Sequence, residues 1–493
     1  MIFWFATTVF FVTYILIASE KVHKTTAALI GSSLMMLVVL QGPDHGAHSE
    51  THENPSEIIE NALNPASASE VKQAHQENVQ EEASSQAHAE VKDQVVKHAE
   101  NYRKLDIYAR YVNFDVIFTL AGMMLLVNIL SGTGLFQYVA IKCAKIAKGS
   151  PIRTMIMLVA ATAILSAFLD NVTTVLLIAP VTLLVASELG VAVIPFLMAE
   201  TMASNIGGTA TLIGDPPNLI IGSVANLNFT AFLINLTPFI VILMVFYCFI
   251  LKMYYQKRMH VTVERRARIM EMDEKAAITD PVNMKRGGLV MILTIIGFLV
   301  HGALGIQPCV VAMAGGGLAL CVCKVDVDHS LEKIEWSTLF FFLGLFVIVN
   351  GADQAGLMAE FGKLLKYTAG WNVLATVLVV MWVSGIAAAL MNNVSFTAAM
   401  VTIVYTFVHD MPAFKSSVAN QHLMWWGLAL AVCLGGNGTI VGAAANLITA
   451  GIAEKNGIKI KFKDFLRYGV PVTFFSLAGA SIYIIIRYMI YCR

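Results

Sequence analysis

Residues Asn205 to Asn218 read NIGGTATLIGDPPN and lie between two long apolar segments. Three glycines, two prolines, two threonines, an aspartate and two asparagines do not suit a continuous membrane helix, because proline removes a backbone donor and lipid supplies none in return. The stretch predicts an unwound break. Polar backbone at membrane depth survives only where it is buried in protein or lines a cavity, so a break of this kind points to a site for an ion or a polar substrate.

A second copy lies downstream. Leu434 to Asn446 reads LGGNGTIVGAAAN and superposes on Ile206 to Asn218 without a gap, pairing Gly207 with Gly435, Gly208 with Gly436, Thr211 with Thr439, Gly214 with Gly442 and Asn218 with Asn446. Before each break is an apolar run, 152–188 and 372–408, interrupted midway by polar residues. The interruptions are Asp170, Asn171, Thr173 and Thr174 in the first run and Asn392, Asn393 and Ser395 in the second, and each predicts a helical hairpin with a polar tip. The register holds at an offset of 222 residues from Phe118/Phe340 through Gly122/Gly344, Asn128/Asn350 and Gly134/Gly356 to Asn171/Asn393. At the breaks it is 228, the extra residues falling in the polar loop His409 to Ser417.

Hydrophobic residues make up 57% of the 493 and charged residues 13%, with repeated uncharged runs long enough to span a bilayer, which excludes an ordinary soluble domain. Net charge is zero, so no basic face argues for nucleic acid. The seven cysteines lack metal-ligand spacing and read as small core residues. The opening run has no basic n-region and is expected to stay as a membrane helix.

The expected fold is an all-α polytopic membrane protein. It consists of two inverted repeats, each with three helices, a re-entrant hairpin, a broken helix and a further helix. Residues 1–41 hold the first two helices, and 42–104 form a polar external insert rich in His and Glu. Residues 105–252 complete the first half, 253–286 form a cytoplasmic linker, and 287–493 are the second half. Plain helices are expected at 2–18, 25–41, 113–132 and 230–252, with a charged connection at 135–152. In the second half they are expected at 287–304, 308–324, 336–352 and 467–489. An odd number of crossings per half inverts the second against the first. Lys21, Lys24, Lys142, Lys145, Lys148, Arg153, the linker, and Lys455 to Arg467 then share one side, which the positive-inside rule makes cytoplasmic, with both termini outside. The insert holds half of the twelve histidines (His45, His48, His52, His75, His88, His98). Its composition reads as a tolerated, solvated insert, with weak transition-metal binding or pH sensing by these histidines as the functional alternative.

Asp170 and Asp215 are carboxylates in apolar surroundings, each costing about 2.5–3.5 kcal/mol at the bilayer centre unless satisfied. Their partners in the second half are Asn392 and Ala443, so the anionic charge is one-sided and suits a cation or proton. Oxygen ligands for a hard cation come from Asp170, Asn171, Thr173, Asn205, Thr209, Thr211, Asp215, Asn218, Asn392, Asn393, Ser395, Asn437, Thr439 and Asn446. Asp170, Asn171 and Asn393 are the candidates for sodium. Gly207, Gly208, Gly214, Gly435, Gly436 and Gly442 open the breaks. Asp215, ahead of Pro216 and Pro217, reads equally as the cap of a half-helix, and Glu200 as a third membrane carboxylate or a helix-end residue. Asp170 with Asp215 also has the look of a protease dyad, but one dyad would need no second glycine-rich segment.

FLDNVTTVLLIAPVT (168–182), AETMASNIGGTATLIGDPPN (199–218) and TYILIASEKVHKTTAALIG (13–31) resemble the ion transporter superfamily. Within it they resemble the branch that holds P-protein-like members, NhaD-type sodium/proton antiporters and ArsB-type arsenite permeases, whose membrane domain is citrate-transporter-like, and in that branch they are most similar to the P-protein-like members. The resemblance implies scaffold and transport domains, tips that bind coupling ions, and elevator-type alternating access. The expected function is a secondary active sodium (cation)/proton antiporter in the bacterial inner membrane, with sodium and/or proton as coupling ions and no other cofactor. A small ion or small molecule is the substrate, and a homodimer is one open arrangement. Proton-coupled efflux of a neutral oxyacid such as arsenite or silicic acid, and cation-coupled dicarboxylate transport, stay open.

Overall fold

The computed structural model describes residues 2–19, 22–37, 111–357, 360 and 372–492; the insert expected at 42–104 lies outside them. The regular structure described is helical. The first half holds α1 (Ile2–Ser19), α2 (Lys24–Met35), α3 (Phe114–Ser131), α4 (Leu135–Ile146), α5 (Pro151–Phe168), α6 (Asn171–Leu189), α7 (Val193–Gly208), α8 (Pro216–Val224), α9 (Phe229–Asn235) and α10 (Thr237–Tyr255). After α11 (Val263–Glu271), the second half holds α12 (Pro281–Leu304), α13 (Pro308–Cys323), α14 (Val327–Glu332), α15 (Trp336–Gln354) and α16 (Val373–Leu390). It continues through α17 (Asn393–Asp410), α18 (Pro412–Lys415), α19 (Val418–Gly435), α20 (Ala444–Lys455) and α21 (Phe462–Tyr491).

Among the described residues eight helices, α3, α5, α6, α10, α12, α15, α16 and α21, are long and apolar enough to cross a membrane, and the pair α8–α9, bent by 113°, makes up to nine. Prolines begin α5, α8, α12 and α13, where a missing N–H costs nothing.

Several expectations are corrected. The charged connection at 135–152 is largely the helix α4: its lysines lie on one side of an amphipathic turn, which a charge count reads as loop. The helix expected whole at 230–252 is divided at Leu236, because Pro238 starts a new helix and cannot donate to the preceding turn. The linker 253–286 contains α11, capped by Thr262, and the polar loop 409–417 contains α18. The closing helix is longer than expected, Phe462–Tyr491.

Matching positions in the two halves make matching contacts. α3 packs on α13 and α15 on α2. The approach is close enough that a Cβ on Gly122 would lie 2.7 Å from Met313 N, and one on Gly344 2.8 Å from the Ala28 carbonyl. Asn128 Nδ2 donates to the Lys333 carbonyl at 2.9 Å and Asn350 Nδ2 to that of Tyr111 at 3.0 Å. α5 packs on α7 and α16 on α19 in the same way, with Gly207 against the Ala163 backbone and Gly435 against that of Gly385. The linker fastens α4 from outside the bundle: Lys145 Nζ lies 2.5 Å from Glu274, and its hydrogen bond holds the Glu274 carboxyl below the usual range.

Candidate functional site

Both hairpin tips and both breaks meet. α5 and α6 are joined by Leu169 and Asp170, and α16 and α17 by Met391 and Asn392. Each turn ends on a cap. Asp170 Oδ1 accepts from Thr173 N at 2.9 Å, and Oδ2 accepts from Thr173 Oγ1. Asn392 Oδ1 accepts from Val394 N at 3.1 Å and Ser395 N at 3.5 Å. The capping task is common to both tips; the charge belongs to one.

The breaks run from Thr209 to Asp215 and from Gly436 to Ala443, and each is tied by its own asparagine. Asn218 Nδ2 donates to Thr211 O at 2.8 Å and Thr209 O at 3.3 Å; Asn446 Nδ2 donates to Thr439 O and Gly436 O, both at 2.8 Å. Thr211 Oγ1 donates to Ala167 O, and Thr439 Oγ1 to Ala389 O at 2.5 Å, which binds each break to its hairpin. Thr209 Oγ1 bonds back to Asn205 O at 2.8 Å. Gly214 and Gly442 must lack side chains, since a Cβ on either would lie 2.6 Å from the carbonyl of Gly208 or Gly436.

An amide cluster joins the halves. Asn171 Nδ2 donates to Asn205 Oδ1 at 3.0 Å, and Asn205 Nδ2 is shared between Asn437 Oδ1 at 2.9 Å and Asn446 Oδ1 at 3.0 Å. Asn393 N donates to Gly442 O at 2.9 Å, and Asn393 Nδ2 to Asp215 Oδ2 at 3.4 Å. Asp215 is fully buried. Its side chain makes no capping bond to α8, so the half-helix-cap reading of this residue is corrected; Pro216 and Pro217 leave fewer N–H groups there to cap. Asp215 Oδ1, Asn437 Nδ2 and Ser395 Oγ have no hydrogen-bond partner. All the expected site residues are buried except Asn392, which is half-buried.

Two contributors escaped the sequence reading. Cys433, a small core residue by its sequence context, donates to Asn218 Oδ1 at 3.3 Å. The repeat offset was the available signal, since Cys433 stands in the second half where Asn205 stands in the first. Tyr14 Oη of α1 donates to Ser395 O at 2.8 Å, a contact across the chain that no local pattern announces. Glu200 is interior to α7, not at its end. Beside the site, α3, α8, α15 and α17 enclose a cavity of about 480 Å³ whose polar lining includes Asn113, Asp115, Ser223, Asn350 and Thr402. It reaches Ile220, two residues beyond Asn218, and Ala398, about one turn beyond Ser395.

Among the described residues no group of three or more His, Cys, Asp or Glu could hold a metal ion. The donors gathered here are amides, hydroxyls, freed carbonyls and two carboxylates, a set for a hard monovalent cation, a proton or a small hydrogen-bonding solute.

The family described as citrate transporter matches the chain over residues 14–431. A 46 kDa membrane protein of Mycobacterium leprae is 36% identical over 485 residues, covering 98% of this chain and 99% of the relative. An uncharacterized transporter of Mycobacterium tuberculosis is 41% identical over 379 residues, 77% of this chain and 87% of the relative. The P protein of Mus musculus is 30% identical over 466 residues, 77% of this chain and 54% of that longer protein.

Proposed function

The chain belongs to the citrate transporter family and is a multi-pass membrane transporter, not an enzyme; from that premise we propose that it exchanges sodium for protons across a bacterial plasma membrane. The observation that carries the reading is the one-sided charge. Asp215 touches the amide of Asn393 and keeps Oδ1 uncommitted, Asp170 caps the first tip, and the matching positions of the second half are Asn392 and Ala443. No Lys or Arg lies in either tip or break.

In this mechanism Asp170 and Asp215 take up either the cation or protons, and Asn171 and Asn393 supply amide oxygens from the two tips. The reciprocal contacts of α3 with α13 and of α15 with α2 support a pair of inverted repeats. The hairpins and breaks form one unit that shifts past a scaffold of α1–α3 and α12–α15, and the cavity between α3, α15, α8 and α17 gives access from one side.

Asn437 Nδ2, a buried donor without a partner, favours a second reading in which a neutral oxyacid hydrogen-bonds in the amide cluster and protons drive its efflux. A polyanion such as the family's description names would meet two carboxylates here and find only helix N-termini and co-bound cations to offset its charge. Purified protein in liposomes with a pH dye, challenged in turn with sodium, lithium, potassium, arsenite and succinate, separates the three. Proton movement on adding sodium supports antiport; a response to arsenite or succinate alone overturns it.

A further inference from the structure

Glu200 lies outside the amide cluster. It is 3% exposed on α7, Thr182 Oγ1 donates to its Oε1 at 2.6 Å, and its Oε2 has no hydrogen-bond partner. One turn along the same helix, Ser204 Oγ donates to the carbonyl of tip residue Asn171 at 3.0 Å, and Ser166 Oγ donates to Ser204 O at 2.7 Å. Helical side chains lean toward the N-terminus, so the Glu200 carboxyl is carried away from the tip. Its partner Thr182 is eleven residues into α6, about 16 Å along that helix from Asn171. The direction is toward the end of the hairpin where Lys148 precedes α5, Arg153 lies in its first turn, and Gly190 after α6 meets Arg265.

The second half supplies the comparison that tells function from packing. At the positions matching Ser166, Thr182, Glu200 and Ser204 it has Ala388, Val404, Leu428 and Val432, all fully buried. The same helix crossings are thus filled with aliphatic side chains when nothing polar is required. A buried carboxyl with one oxygen unpaired costs stability, and the fold itself offers an apolar solution for this place.

We propose that Glu200 is a second proton site, separate from the cation site and set on α7 between tip 1 and the opposite end of the hairpin, which takes and releases a proton at Oε2 while Thr182 holds Oε1. One hydroxyl beside the carboxyl does not make the oxygen shell a hard cation needs, so the site is for protons alone. The nearest titratable groups on the elements around it are Cys143 of α4, close enough for its charge to couple with that of Glu200, and Tyr247 of α10, whose Oη donates to the adjacent Ala199 O at 3.2 Å. Of the other elements packed on α7 (α5, α6, α19, α20 and α21), among the described residues only α6 bonds to Glu200, through Thr182. The inference rests on the antiport reading for its partner ion but not for its location.

The test uses the full chain in liposomes as wild type, Glu200→Gln, and the double variant Glu200→Leu/Thr182→Val, which writes the second-half pair into the first. Infrared difference spectra across pH should show a carboxylic-acid carbonyl band in wild type that both variants lack. Null-point measurement of protons moved per sodium should give a lower ratio in both variants, with sodium–sodium counterflow retained. An unchanged ratio and an unchanged band overturn the proposal, as does failure of both variants to fold, which would make Glu200 structural. If wild type moves no protons for sodium, the antiport reading fails by itself, and the ratio is read with whichever solute wild type does move.

Discussion

Asp170→Asn removes one negative charge and one acceptor: the amide oxygen keeps the bond from Thr173 N, while Thr173 Oγ1 must turn to accept from the new amide nitrogen. Asn392 shows what the substituted residue does at the matching tip: its amide oxygen caps α17 from 3.1 Å and 3.5 Å. Asn and Asp are about equal as N-caps, so the change in stability is at most about 0.5 kcal/mol, against about 1 kcal/mol for Asp170→Ala. The functional loss is larger. A unit charge about 4 Å from a bound cation, at an effective dielectric of about 20, is worth about 4 kcal/mol, or roughly a thousandfold in affinity. Asp170→Asn should therefore insert and purify as wild type while sodium-driven proton movement falls to background in pH-dye liposomes. If the solute is instead a neutral oxyacid, the variant should lose uphill transport and keep downhill exchange, because amides and hydroxyls would make the contacts. Full sodium/proton exchange in Asp170→Asn at several pH values would refute the assignment.

Asp215→Ala copies Ala443, whose backbone (φ −142°, ψ 148°) is close to that of Asp215 (φ −142°, ψ 129°); folding should survive at a cost of about 1 kcal/mol for the lost Asn393 bond, while cation affinity drops in sodium-binding calorimetry. Gly214→Ala places a Cβ 2.6 Å from Gly208 O and Ser166 O, so the yield of folded protein in size-exclusion chromatography should fall, consistent with about 1–3 kcal/mol of overpacking; Gly451→Ala, with open space around it, should leave the yield unchanged. Deleting about residues 46–100 should leave insertion and liposome transport intact, since that composition contributes little to a packed core; loss of insertion would show the segment to be part of the fold.

The sequence by itself determined the membrane class, the two breaks and the two polar tips, because each rests on local chemistry. Long uncharged runs have one stable home, and glycine and proline interrupt a helix wherever they stand. The internal offset also reported which residues occupy matching places, and so that Asp170 and Asp215 have no charged counterpart. Local chemistry misled where a feature reads alike in two settings: the lysines of α4 suggested a loop, and Pro216 after Asp215 suggested a cap. Only the tertiary structure decided which groups meet. The approach of Asn393 to Asp215, the shared bonds of Asn205 with Asn437 and Asn446, and the reach of Tyr14 to Ser395 join residues far apart in the chain. Such contacts depend on how packed helices are placed against one another, and that placement is the outcome of many side-chain fits that no single stretch encodes.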